Sequence, residues 1–393
     1  MSKNLSIAIS SIGRFHMFDL ARQMLQLRQK VKFVTGYPSF KVDHDLRAIT
    51  LTRSFWVVLN HLRSRVPIVT KTNWWSHRAL EDFGPWLART LDFNEIDILD
   101  ALAGTGWEAG RVLKGLEKPW ICNRGSTHIL TQKRLLEEEH ERWGIRPPFF
   151  GLGMERALGE YDECDAIVVP SEFTRRSFIK EGIPANRVFK CPYGVDLSLF
   201  HNCSLKKGND KLRVVFLGHC SIRKGIGYLL QALRPLVRQG AVETWLIGGV
   251  APEARLILAA HEGEFVFQGH QPRAKLAEYL SRCDVLVLPS IEEGLALVMA
   301  QAMACGLPVI ATTNTGAEDL LTDGVEGFII PIRAPQVIRE KIQWLLDNPD
   351  QRRVMGAAAL KRVKSLGGWA EYGKRSLAIY HEVLKEKEGV RIG

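Results

Sequence analysis

The feature that most restricts the fold of this chain is an alternation: short β-branched and aliphatic runs are separated, over its whole length, by stretches with helical periodicity. LSIAIS (5–10), VKFVTG (31–36), IDILDAL (96–102), PWICN (119–123) and AIVVP (166–170) read as strands of one sheet. RVVFLG (213–218), TWLIGG (244–249), FVFQG (265–269), VLVLP (285–289) and PVIAT (308–312) read as strands of a second. Such alternation predicts parallel sheets assembled from strand-helix-strand units. HNCSLKKGND (201–210) is polar and aperiodic and separates the two sets. A chain of 393 residues, 46% hydrophobic, has apolar material for two cores. The expected fold is therefore α/β, with two Rossmann-like, doubly wound parallel-sheet domains facing across a cleft. The expected boundaries are 1–200 for the first domain, 201–211 for a linker and 212–366 for the second domain. The long amphipathic helix at 367–393 is expected to pack back on the first domain. In doubly wound folds ligands sit beyond the carboxyl ends of the strands, so function should reside on the loops that follow strands.

One such loop is informative. In SIEEGLALVMAQAMACGLPVIAT a strand ends at Ser290, the chain turns through Glu292, Glu293 and Gly294, and a helical run over 295–305 stops at Gly306 and Pro308. Glu293 then lies beside a helix N-terminus, where unpaired amides favour a phosphate. Gln301 follows eight residues later, roughly 12 Å along a helix axis. A hydrolytic acid/base pair needs two carboxyls roughly 5 to 9.5 Å apart. An acid and an amide at this spacing suit instead the two ends of one elongated ligand with a phosphate lodged between. The plainer alternative is a helix cap and a surface residue.

This segment resembles the signature of the family 4 retaining glycosyltransferases of the GT-B fold, which reads Glu, seven residues, Glu; here it stands as Glu293 followed by Gln301. TGAEDLLTDGVEGFIIP after it, PSEFTRRSF with GVDLSLF (170–200) and LGHCSIRKGIGYLLQA (217–232) are similar to further family segments, so the resemblance runs from near the start to the final helix. It implies a nucleotide-diphosphate sugar as co-substrate on the second domain, with no cofactor and no metal. It implies that Glu293 accepts hydrogen bonds from donor-sugar hydroxyls and that Lys224 neutralises the diphosphate. Gln301 stands where the family's second Glu grips the ribose, and His219 stands where it usually has Arg, with Arg223 as a neighbouring cation. Gly218, Gly294 and Leu295 complete the donor surroundings. In the first domain Gly13 matches the family's phosphate-approaching glycine, His128 resembles its cleft histidine, and His16 opens the helix after the first strand. The implied chemistry is transfer of a hexosyl-type sugar with retained configuration. The departing phosphate oxygen takes the acceptor's proton, so no side chain acts as base.

Charge bears on the acceptor. Residues 1–80 hold 13 Lys/Arg and 3 Asp/Glu, which accounts for the formal charge of +10. A local excess of this kind points to a phosphate-rich partner. RSFWVVLNHLRSR (53–65) sets Phe55, Trp56, Leu59 and Leu62 at helical spacing between Arg53, Arg63 and Arg65. That is the make-up of an interfacial helix, although an ordinary amphipathic helix packed on a sheet reads the same way. An anionic membrane surface is therefore preferred to nucleic acid, with an acceptor glycan or glycolipid. Seven scattered cysteines without metal-ligand spacing and no run of about 18 apolar residues lead us to expect a cytoplasmic protein, peripheral on the inner face of a membrane.

Three other readings compete. AGTGWEAG (103–110) fits a dinucleotide pattern, but it lies several units into the domain and no acid follows at Asn123. Asp43-His44-Asp45 has the form of the metal-binding DxD of the other glycosyltransferase fold and reads here as a polar loop. The third is a glycosyltransferase-like binding or regulatory protein, with Gln301 and His219 as traces of lost turnover.

Overall fold

The computed structural model describes the backbone of residues 4–63, 74–148, 150–205 and 210–392, and their side chains except at 60–63, 74–77, 152 and 390–392. Two parallel sheets dominate it. The first contains β1 (Ser6–Ser11), β2 (Lys30–Thr35), β3 (Thr50–Thr52), β4 (Ile98–Leu102), β5 (Trp120–Asn123), β6 (Ala166–Val169) and β7 (Val188–Lys190), in the order β3-β2-β1-β4-β5-β6-β7. The second contains β8 (Leu212–Leu217), β9 (Val242–Ile247), β10 (Val266–Gly269), β11 (Val285–Leu288), β12 (Val309–Thr312) and β13 (Gly327–Ile330), in the order β10-β9-β8-β11-β12-β13.

Both sheets are doubly wound, and in each the strand order reverses at the first strand: β1 lies between β2 and β4, and β8 between β9 and β11. Connections from β1 and β4, and from β8 and β11, leave towards opposite faces, which opens a crevice at their carboxyl ends. The central strands are apolar on both sides because helices cover both faces; Ile7, Ala8, Ile9 and Val214, Val215, Phe216 are fully buried. The strand runs read from sequence are all present, each within two residues of its expected ends. β3, β7 and β13 are additional. They are three or four residues long and lie towards the sheet edges, too short for periodicity to mark them.

The final helix, Gly368–Ile392, follows the second domain in sequence but packs on the helix Met17–Gln26 of the first. Tyr372, Ile379, Tyr380 and Val383 join the same buried cluster as Phe18, Leu20 and Ile9. The helix Phe55–Arg63 leaves Phe55 62% exposed, and Arg53 just before it forms a two-pronged pair with Asp82 at 2.9 Å. The side chains of Arg63, Leu62, Trp74 and Trp75, and the whole of Arg65, lie outside the described residues. Among the described residues no helix is long and apolar enough to cross a membrane.

Candidate active site

A cavity of about 840 Å³ lies between the two sheets at their carboxyl ends. Its first-domain wall is the turn after β1 (Gly13 to His16), Leu102 and Ala103 after β4, and Arg124 to Ser126 after β5. Its second-domain wall is Lys224, Arg273, Glu293 and Leu295 to Val298. A smaller cavity of about 210 Å³ shares Asp19, Arg273 and Leu297 with it and contains Gln301.

Glu293 is held by its backbone: its amide donates to Asn314 O at 2.9 Å, and Asn314 Nδ2 donates to Ile291 O at 2.9 Å. Lys224 reaches it from the loop after β8. That loop passes over the end of β11 so closely that a Cβ on Gly225 would lie 2.0 Å from Pro289 O, and Gly225 adopts φ +66°. Only glycine tolerates both conditions, so the residue after Lys224 determines where its ammonium goes. Lys224 and Glu293 form an ion pair in the cavity wall. Beside them the helix Leu297–Ala304 begins with Ala296 as N-cap and no capping side chain. The Met299 amide already donates to Ala296 O at 3.0 Å, which leaves the amides of Leu297 and Val298 for an anion that enters the cavity. Arg273 is exposed and lines both cavities, and its guanidinium makes no hydrogen bond or ion pair among the described residues. Lysine, uncapped helix end and free guanidinium together form a site for a polyanion beside an acid suited to bind hydroxyls.

The neighbouring acid, Glu292, has a different task. It is fully buried and crosses to the first domain. Its Oε1 accepts from the Thr127 amide and hydroxyl, both at 2.9 Å; its Oε2 accepts from Gln132 Nε2 at 2.9 Å and pairs with Arg223 at 2.8 Å. Burial pushes the carboxyl's pKa up, but the Arg223 guanidinium and these hydrogen bonds hold it below the usual carboxylate value. Arg223 also donates to Glu292 O at 3.0 Å and Ser126 Oγ at 3.2 Å. The domains touch so closely here that a Cβ on Gly294 would lie 2.0 Å from Gly125 O. Ser171 Oγ closes the junction, donating to Gly294 O at 2.6 Å.

Residues 14–199 match the family described as Glycosyltransferase Family 4, and residues 201–362 match Glycosyl transferases group 1; in tandem they take in most of the chain. The chain belongs to glycosyltransferase family 4. The putative colanic acid biosynthesis glycosyltransferase WcaL of Salmonella typhimurium is 27% identical over 172 residues, 41% of this chain and 42% of that protein. The chain thus spans about half the length of the first curated relatives it matches. Sucrose-phosphate synthase from Thermosynechococcus elongatus superposes over 98% of this chain and 100% of its own, with a TM-score of 0.77 at 18% identity. HepE of Anabaena, solved with UDP and glucose, gives 0.69 at 16% identity over 96% of this chain and 100% of its own. These likenesses show the two-domain GT-B fold.

Within this family 4 chain the expected site residues divide. Gly13, His16, Lys224, Glu293 and Leu295 line the main cavity, and Gln301 lines the adjoining one. Gln301 lies in helix Leu297–Ala304, whose first residue comes four positions after Glu293, so the axial spacing counted from Glu293 does not apply. His128 does not line the cavity. It is 3% exposed, its Nδ1 accepts from the Leu130 amide at the start of helix Ile129–Arg142, and its ring packs on Tyr161 and Phe178 at 4.9 and 5.0 Å. The chain turns into the cleft two to four residues earlier, so Arg124, Gly125 and Ser126 take the place expected of it. Gly218 and His219 line neither cavity; His219 is exposed beside Gly249. Arg223 is an interdomain tie, with its guanidinium engaged by Glu292 and Ser126.

The competing motifs also resolve. The amides of Gly104 and Gly106, which a dinucleotide would need, are taken by Glu160 of the same domain at 2.5 and 2.8 Å. Asp43 and Asp45 are bound by Arg14 and Arg22, and 44–49 forms a short 3-10 helix rather than a loop. Arg124, Ser126, Arg273 and Glu292 escaped the sequence reading. For Glu292 the only signal was its place next to Glu293.

Proposed function

We propose that this chain is a retaining glycosyltransferase that moves a hexosyl-type sugar from a nucleotide-diphosphate sugar to an acceptor hydroxyl. The observation that carries this reading is the Lys224–Glu293 pair beside the uncapped start of helix Leu297–Ala304, inside the interdomain cavity. A diphosphate at that helix end would draw Lys224 and Arg273 and release Glu293 to accept from sugar hydroxyls. As the glycosidic bond breaks, the new charge on the diphosphate meets groups already in place, which is where a rate gain arises. The acceptor's proton passes to the departing phosphate oxygen. Fixed cations and amides serve where other transferases use a divalent metal.

The acceptor side differs in character. Ile12, Phe15, Val57, Leu80 and Leu102 make the first-domain wall largely apolar, which supports an acceptor that carries an apolar group, such as a lipid-linked glycan precursor. With the basic first 80 residues, this supports cytoplasmic action at the inner face of a membrane. Replacing Arg63 and Arg65 with Glu should abolish co-sedimentation with anionic vesicles; unchanged binding removes the membrane from the proposal.

The deciding experiment incubates the chain with UDP-, GDP- and ADP-sugars, UDP-glucose first, and measures released nucleotide. Glu293→Ala and Lys224→Ala should each lower release by roughly a hundredfold or more, the size of one lost transition-state contact. Release unchanged in both rules these residues out. The neutral Gln301 and the displaced His219 favour one alternative, a binding or regulatory protein, for which a nucleotide sugar raises the Tm without being broken down.

A further inference from the structure

His16 lines the main cavity, yet its ring also belongs to a buried polar chain that runs away from it. Nε2 lies 2.8 Å from Asn123 Oδ1 at the end of β5. Asn123 Nδ2 lies 3.4 Å from Asp100 Oδ2 on β4, and Tyr380 of the final helix donates its hydroxyl to the same oxygen at 2.7 Å. The four residues are 8, 2, 1 and 0% exposed. They join the turn after β1 and the neighbouring strands β4 and β5 to the helix that returns from the far end of the chain.

Donor and acceptor rules fix the direction of this relay. Burial raises the Asp100 pKa to about 6, so above that pH its carboxylate is ionised and only accepts, and the Asn123 amide turns its NH₂ towards Asp100 and its carbonyl towards His16. A carbonyl also only accepts, so the hydrogen of a neutral imidazole must sit on Nε2. Nδ1 is left with a lone pair, and it makes no hydrogen bond among the described residues. Tyr193, tilted by 33° at a centroid distance of 4.4 Å, and Tyr372, edge-on at 6.3 Å, hold the ring against rotation.

We propose that His16 presents Nδ1 in the cavity as an acceptor for a substrate hydroxyl, and that Asn123, Asp100 and Tyr380 are positioning residues that set its tautomer. Burial pushes the His16 pKa down to about 4, which keeps the ring neutral and the lone pair available at physiological pH. No proton is transferred; the hydroxyl donates a hydrogen bond and is oriented by it. The substrate half of the proposal rests on the reading of the cavity as a sugar-transfer site, whereas the tautomer half does not.

The test separates the two. Long-range ¹H–¹⁵N spectra of the histidine-labelled full chain, with the His16 signal assigned by its loss in His16→Gln, should show one Nε2–H tautomer without any ligand. Asn123→Leu should convert it to a mixture, and Tyr380→Phe, the milder change, should move it the same way. A wild-type ring protonated at Nδ1, or already mixed, overturns the relay. For the substrate half, His16→Asn keeps an acceptor near the Nδ1 position and His16→Gln near Nε2. With UDP-glucose as donor, Asn should retain about tenfold more turnover than Gln, the worth of one hydrogen bond. Equal losses overturn the hydroxyl contact. Should the wild type release no nucleotide from any donor while the tautomer is as expected, the transfer reading falls, taking the hydroxyl contact with it, and the relay stands.

Discussion

At the scale of single residues, Gln301 is an amide where the family resemblance implies a carboxylate. A carboxylate accepting ribose hydroxyls makes bonds of about 1.5 to 3 kcal/mol, and a neutral amide about 0.5 to 1.5. Gln301→Glu should therefore tighten binding of UDP by about tenfold in calorimetry. Arg273 lines the same small cavity and offsets the added charge against Asp19 and Asp196. Unchanged or weaker binding would place the ribose elsewhere. Lys224 and Glu293 neutralise each other in their ion pair, and under the proposed function a diphosphate would separate them.

At the scale of elements, turns decide more than strands or helices do. The turn after β4 resembles a phosphate loop in sequence, yet its amides are held by Glu160, a residue 56 positions later for Gly104. Burial raises the Glu160 pKa from 4.5 to about 7, against the pull of the two glycine amides. The folded chain thus keeps a proton between those values that the unfolded chain has released, and stability falls as pH rises through that window. The full penalty is about 3 kcal/mol above it. Glu160→Gln should gain on the wild type in thermal unfolding between about pH 5 and pH 8. A difference that does not change with pH shows that Glu160 is not titrating there. Strands and helices were legible because alternating apolar runs reflect two-sided burial. The turns were not, because AGTGWEAG gives no sign of which carboxylate will fill it.

At the scale of the whole molecule, Glu292 joins the two sheets. Its carboxylate is satisfied by three donors from the first domain and Arg223 from its own, so the loop bearing Glu293 is registered against Arg124 to Ser126. Removing Glu292 costs less than the about 3 to 5 kcal/mol of a fully buried pair, because the Arg223 side chain is 35% exposed and stays hydrated, and the loss falls instead on the three buried first-domain donors left without an acceptor. Glu292→Ala should lower the Tm and enlarge the radius of gyration in small-angle scattering as the domains part. Unchanged scattering with unchanged Tm would remove Glu292 from domain closure. The final helix acts at the same scale, since it ties the end of the chain to the first domain through Tyr380 and Asp100.

The sequence by itself determined the parallel α/β architecture, the division into two sheets, and the segment from Glu293 to Gln301, because each of these is written in residues a few positions apart. Tertiary structure alone decided that Arg124 and Ser126 face the cavity, that Arg223 ties the domains, and that His16 is steered from the final helix. Those outcomes depend on contacts between residues 165 apart, as Thr127 and Glu292 are, or 280 apart, as Asp100 and Tyr380 are. Periodicity records which side of its own element a residue faces, and the partner it meets there is fixed only when distant elements pack.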